Sequence, residues 1–128
     1  MNDLLFVYGT LLLSHNEQAR YLRANSMFVS AGSFPGRLYD LGAYPGAIYL
    51  FNETLTVKGN IVKLTNPPAT LALLDDYEEI NLHEPDKGLF SRQIITVHTS
   101  RSPLKCWVYL YNGPVVNNML IVSGNYLK

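Results

Sequence analysis

The sequence predicts an α+β protein built on a small mixed, barrel-like β-sheet with two or so flanking helices. Three observations carry this. Residues 27 to 64 are dense in β-branched and aromatic residues and repeatedly broken by glycine and proline, and residues 89 to 111 alternate with a period of two. Only two stretches have helical character, one early and one in the middle. No pair of long parallel crossovers is evident, so a curled or closed sheet is expected rather than a doubly wound one.

The elements follow in order. LLFVY, Leu4 to Tyr8, is a short apolar run ending at Gly9, the pattern of a strand covered on both faces. Ser14 with Glu17 three residues on has the form of a capping box, and HNEQARYLRAN after it reads as a helix of about three turns. Gly32, Pro35-Gly36, Gly42, Pro45-Gly46 and Gly59 divide residues 27 to 64 into several short strands with tight turns. In NPPATLALLDDYEE, Asn66 caps, Pro67 and Pro68 suit a first turn, and good helix formers follow. LFSRQIITVHT and KCWVYLYN form a hairpin turning near Arg101, Ser102 and Pro103. The tail from Val115 to Lys128 has no clear period; its apolar MLIV suits either a last strand or packing on a neighbour.

At 128 residues the chain fits a single domain, 1–128, able to bury about two thirds of its unfolded surface. Ten basic and ten acidic side chains balance to zero net charge, which argues against nucleic acid and anionic membranes as partners. Cys106 is the only cysteine, so no internal disulfide forms and a reducing compartment, the cytoplasm, is expected. MNDLLFVYGTLLL carries an acid where a signal peptide has basic residues, and no run approaches the ~20 apolar residues of a membrane span.

The chemistry centres on Glu78. On a helix advancing 100° per residue from Leu71, Leu74 falls at about −60°, Glu78 at about −20°, Asp75 at about +40° and Asp76 at about +140°. Glu78 thus lies on the apolar stripe, where burial raises a carboxyl toward the range of proton exchange at neutral pH. On the competing reading the helix ends before Glu78 and DDYEE is a solvated acidic end. Gly9 supplies a second group: without a Cβ the main chain is open to a ligand, and successive N–H groups in such a turn can hold an anion. Read alone, the YGT of Tyr8 to Thr10 is an ordinary turn. Arg92 shares a strand face with Phe90 and Ile94 and either pairs with an acid such as Asp75 or Glu78 or reaches to water. Of nine tyrosines most are expected to be half-buried packing, with a few hydroxyls lining a pocket.

Other chemistries lack their patterns. There is no GxGxxG or GxxxxGK[ST] for nucleotides, no GxSxG elbow, and no HxH, HExxH or CxxC spacing around His15, His83 and His98. Cys106, beside Trp107 in an alternating strand, reads as an inert buried thiol.

FVYGTLL, GRLYDLGAYPGAIY, VKGNIVKL, LLDDYEE, FSRQIITV and WVYLY occur in an order and spacing that resembles the γ-glutamylcyclotransferase-like family, over about residues 4 to 112. The resemblance implies a small mixed barrel with flanking helices and a pocket at the end of the first strand. It matches Tyr8, Gly9, Thr10 and Leu11 to the loop whose backbone holds the α-carboxylate of a γ-glutamyl group, and Glu78 to the catalytic glutamate. Tyr77 and Arg92 match neighbours that shape or brace the site. The implied reaction is cyclisation of a γ-glutamyl amide to 5-oxoproline with release of an amine or amino acid, a lyase-like or acyl-transfer step without a cofactor. The implied partner is a small-molecule γ-glutamyl substrate; the leaving amine and the oligomeric state stay open. Two positions depart from the family pattern. Glu79 stands where glycine often follows the glutamate, and Asn60 where the strand motif often has an acid. The loop NLHEPDKGL is expected to border the pocket mouth. Two alternatives are a non-catalytic module binding a small carboxylate on the same fold, and a β-barrel stacking single-stranded nucleic acid. The second is opposed by the zero net charge.

Overall fold

The computed structural model describes residues 2–9, 16–78 and 88–126. Strand β1 (Leu4–Val7) leads to helix α1 (Glu17–Ala24), followed by β2 (Ser26–Asp40), β3 (Pro45–Tyr49) and β4 (Thr56–Leu64). Helix α2 (Pro67–Tyr77) precedes the hairpin of β5 (Phe90–Val97) and β6 (Leu104–Tyr111), and a short 3-10 turn leads into β7 (Leu120–Ile121). The strand order is β3-β2-β4-β1-β6-β5, with β7 added to β2. All neighbours are antiparallel except β1 and β6, where Leu5 faces Trp107 in parallel. The sheet curls into a half-barrel because Ser33 of β2 exchanges both backbone hydrogen bonds with His98, just past β5, at 2.9 and 2.7 Å.

The expected series of short strands across residues 27 to 64 is corrected in one place. Residues 26–40 form a single 15-residue strand that runs through Gly32 and Pro35-Gly36. Its first part pairs with β4 as far as Pro35 and its last part, Gly36 to Asp40, with β3. The glycines mark close approach instead of reversal. A Cβ at Gly36 would lie 2.2 Å from the Ile48 carbonyl oxygen, and one at Gly32 would lie 2.7 Å from Val97 Cγ1. The chain does reverse at Gly42, whose φ of 101° suits glycine.

The helix caps follow the same local rules with one change of residue. Asn16, not Ser14, caps α1, accepting a 2.8 Å hydrogen bond from the Ala19 N–H, so the helix has eight residues and not three turns; Ser14 lies outside the described residues. In α2, Asn66 accepts from the Ala69 N–H and Pro67 and Pro68 occupy the first turn, as expected. The β5–β6 hairpin also forms as expected, with Thr99 Oγ1 closing the turn on Ser102. Part of the tail forms β7 against Leu38 and Tyr39.

Alternation along the central strands divides the core in two. Phe6, Phe34, Ile61, Val97, Cys106 and Val108 pack within the curl of the sheet. Leu5, Val7, Val62, Leu64 and Tyr109 face the other way and are covered by Leu22 of α1 and Leu71 and Leu74 of α2. β1 is therefore buried on both faces, as its unbroken apolar run predicts. Cys106 is fully buried, and burial pushes its thiol up to about 11, the state of an unreactive thiol. No helix among the described residues is long and apolar enough to cross a membrane.

Candidate active site

A cleft of ≈ 420 Å³ opens where β1 ends beside the C-terminus of α2. Tyr8 and Gly9 from β1's end, Tyr77 and Glu78 from α2, Asn16 before α1, and Tyr109 of β6 contribute to its wall. Tyr44, Pro45 and Phe90 complete an aromatic, apolar side, with Tyr44 and Phe90 ring centroids 5.9 Å apart. Few polar groups inside a largely apolar concavity is the usual composition of a small-molecule site.

Glu78 arrives there by helix geometry. Leu71 and Leu74 are buried, and Glu78 continues their stripe one turn on. The α-helix ends at Tyr77 and Glu78 is its C-cap, its N–H bonded to the Leu74 carbonyl at 2.8 Å. The helix thus stops where the competing reading of the sequence had it stop, yet its stripe still delivers the carboxyl to the cleft. Burial raises that carboxyl to about 7, from 4.5. A group so poised exchanges protons near neutrality.

Tyr8 and Gly9 build the facing wall. Tyr8 points into the interior, donating to the Tyr109 carbonyl at 2.5 Å and accepting from the Ala47 N–H at 3.3 Å. Burial first, and then the negative charge of Glu78, raise its phenol well above the ordinary range. At Gly9 a Cβ would lie 2.8 Å from Pro45 Cγ, so glycine lets β1's end and β3's start meet at the cleft. Tyr77 accepts from Asn16 Nδ2 at 3.1 Å, joining the end of α2 to the start of α1. Thr10 and Leu11 lie outside the described residues, as do Glu79, His15, His83 and most of the loop NLHEPDKGL.

Arg92 stands behind this wall and not among the cleft-lining residues. Of its alternative partners it takes Asp75: Nε donates to Oδ1 at 2.8 Å and Nη2 to Oδ2 at 3.1 Å, while the guanidinium lies 4.2 Å from the Trp107 ring centroid. Tyr109 donates its hydroxyl to Asp75 Oδ1 at 2.7 Å. Burial, with Asp75 second, pushes the Tyr109 phenol far above its ordinary value. Sequence reasoning had no local signal for Tyr109, Asn16 or Pro45 as wall residues, because each comes from a separate element. On the far side of the Val7–Gly9 backbone lies a second, more open cleft of ≈ 720 Å³, lined by polar residues including Lys58, Asn60 and His98. No group of three or more His, Cys, Asp or Glu able to hold a metal ion occurs among the described residues.

The curled mixed sheet with two helices is a fold shared with several solved structures. YkqA from Bacillus subtilis superposes with a TM-score of 0.71 at 23% identity over 98% of this chain, which spans 40% of that one. An AIG2-like protein from Mus musculus gives 0.67 at 22% identity, covering 97% of this chain and 87% of that one. At such identities the likeness is one of fold. The family follows from sequence: the chain belongs to the family described as "Gamma-glutamyl cyclotransferase, AIG2-like", which matches residues 5–128. The "Gamma-glutamylcyclotransferase family protein YtfP" of Escherichia coli (strain K12) is 32% identical over 96% of this chain and 95% of its own length. Its counterpart in Citrobacter rodentium is equally similar.

Proposed function

We propose that the protein is a γ-glutamyl(amine) cyclotransferase in which Glu78 is the general acid/base. The observation that carries this reading is a carboxyl with its proton affinity raised to about 7, facing a cleft whose opposite wall is the glycine-bearing end of β1. The substrate is a γ-glutamyl amide. Its α-carboxylate binds at the Tyr8–Leu11 loop, with Tyr77 shaping the cleft and Arg92 bracing it from behind.

The reaction moves protons and one acyl bond. The Glu78 carboxylate takes a proton from the α-ammonium, and the freed amine attacks the γ-carbonyl carbon, forming the lactam C–N bond. The tetrahedral intermediate then breaks its original amide C–N bond, and the Glu78 carboxyl returns the proton to the departing nitrogen. In all, the α-nitrogen gives up two protons and the leaving amine departs with two more, as an ammonium. No water, oxidant or cofactor is consumed. Nucleophile and electrophile belong to one molecule, so holding it in the ring-closing pose supplies much of the rate, up to about 7–11 kcal/mol of barrier. The single thiol and balanced charge favour a cytoplasmic protein acting on a metabolite.

The test is 5-oxoproline release from a panel of γ-glutamyl amines, amino acids and peptides, with Glu78→Gln in parallel. The wild type should turn over at least one member, with kcat/KM falling tenfold per pH unit below about 7, and the Gln variant should lose about 10²–10⁴ in kcat. No release from any member, with retained binding of the glutamyl carboxylate, would favour the non-catalytic module. A fully active Gln variant would remove Glu78 from its role.

A further inference from the structure

Two of the cleft's ionisable groups, Glu78 and Tyr109, come from elements that one residue outside the cleft wall ties together. Asp75 sits in the last turn of α2, three residues before Glu78. It receives the Arg92 guanidinium of β5 on both oxygens and the Tyr109 hydroxyl of β6 on one. Arg92 and Tyr109 are directly paired positions of the β5–β6 hairpin, so the carboxylate grips both strands at one level. The Arg92 and Asp75 side chains keep 21% and 14% of their surface exposed, which makes the contact a partly desolvated fork instead of a surface pair. Tyr109's carbonyl in turn holds Tyr8, so the connection runs from α2 through the hairpin to the cleft's opposite wall.

We propose that Asp75 is a positioning residue for Glu78: its fork to Arg92 and Tyr109 sets the end of α2 against the β5–β6 hairpin and keeps the guanidinium on Trp107, away from the cleft. The inference rests on Glu78 being the acid/base. α2 has no other ion pair or side-chain hydrogen bond to the hairpin among the described residues, and the helix ends two residues later, at Tyr77. The Tyr77–Asn16 hydrogen bond ties this end to α1 and not to the hairpin, and displacing a reacting group by about 1 Å costs on the order of 10²-fold in rate. Among the described residues, the ionisable side chains that line the cleft with Glu78 are Tyr8 just past β1, Tyr44 just before β3, Tyr77 of α2 and Tyr109 of β6; Arg92 of β5 is the cation that Asp75 pairs.

Asp75→Asn keeps the shape and removes the charge. Steady-state 5-oxoproline release should show kcat lowered about 10–100-fold with KM changed less than about threefold. Arg92, no longer neutralised, should favour the ionised Glu78, so the acid limb of the kcat/KM profile should move below about 7. The Glu78 titration followed by carboxyl NMR should move the same way, which tests the inference even if the wild type releases no 5-oxoproline and the enzyme reading fails. Tyr109→Phe, which deletes one hydroxyl, gives a second route should Asp75→Asn not fold: it should lower kcat by about 3–10-fold, again with little change in KM. An Asp75→Asn or Tyr109→Phe protein that loses thermal stability while kcat and the Glu78 titration stay at wild-type values would overturn the proposal, leaving the fork a purely structural contact.

Discussion

The two cores of this molecule share the central strands yet differ in what they admit. Inside the curl, Phe6, Phe34, Ile61, Val97 and Val108 pack with no charged side chain, and Phe6 and Phe34 meet edge to face at 5.4 Å. On the outer face, the layer under α1 and α2 includes Tyr109 and passes at α2's end into Asp75, Arg92 and Glu78. Ionisable groups gather at the seam because a helix end leaves a gap that a closed sheet interior does not. Burial there is deep enough to raise a carboxyl, yet the cleft stays open to solvent.

Substitutions on either side of the seam should separate these two kinds of core. Phe34→Ala, fully buried inside the curl, should cost about 3–5 kcal/mol in urea unfolding, while the folded fraction keeps its turnover. Leu74→Ala, equally buried but one turn before Glu78, should cost about 2–5 kcal/mol and also depress kcat of the folded fraction, because the stripe that aims Glu78 is loosened. Equal kcat in the two folded variants would show that the helix layer is scaffold only.

A smaller effect concerns the carboxyl itself. Glu78 holds its proton to about 7 when folded against 4.5 as an ordinary glutamate, so its contribution to stability is complete below pH 4.5 and is lost as the pH rises through 7. Glu78→Gln should therefore be more stable than wild type at pH 8, by about 1–2 kcal/mol after allowing for partial exposure, with the advantage gone at pH 4. Thermal melts at the two pH values check this; an equal difference at both would mean the burial does not act on the charge.

The smallest effect should come from the other arginine–carboxylate pair. Arg37 Nε donates to Glu53 Oε2 at 2.6 Å, and that bond, with the Leu55 N–H, holds the Glu53 carboxyl below its usual range. It closes the turn after β3, away from the cleft, with Arg37 half-exposed and Glu53 largely covered. Glu53→Gln should lower the melting temperature by a few degrees at most and leave kcat/KM unchanged. A drop in activity as large as that of Asp75→Asn would erase the distinction between the two pairs.

Much of the architecture was legible because it rests on short-range physics. The Pro67-Pro68 start of α2, the alternation of β5 and β6, and the unbroken apolar β1 each follow from neighbours within a few residues. Where local signals competed, reading failed. Glycines at 32 and 36 looked like turns because their reason, the Val97 side chain and the Ile48 carbonyl, lies on other strands. The cap at Asn16 also carries a non-local contact: its amide meets Tyr77, a partner 61 residues away.

The same division applies to the site. That Glu78 follows the Leu71–Leu74 stripe and that Gly9 ends an apolar strand are facts of spacing, because helix and strand periods are properties of the backbone alone. That the two face one cleft, that Arg92 is committed to Asp75, and that Tyr109 joins them depend on how a curled sheet brings β1, β6 and α2 together. Burial, and with it the raised affinity of Glu78 for its proton, is a property of that assembly: desolvation is produced by everything packed around a group, and no segment of the chain contains it.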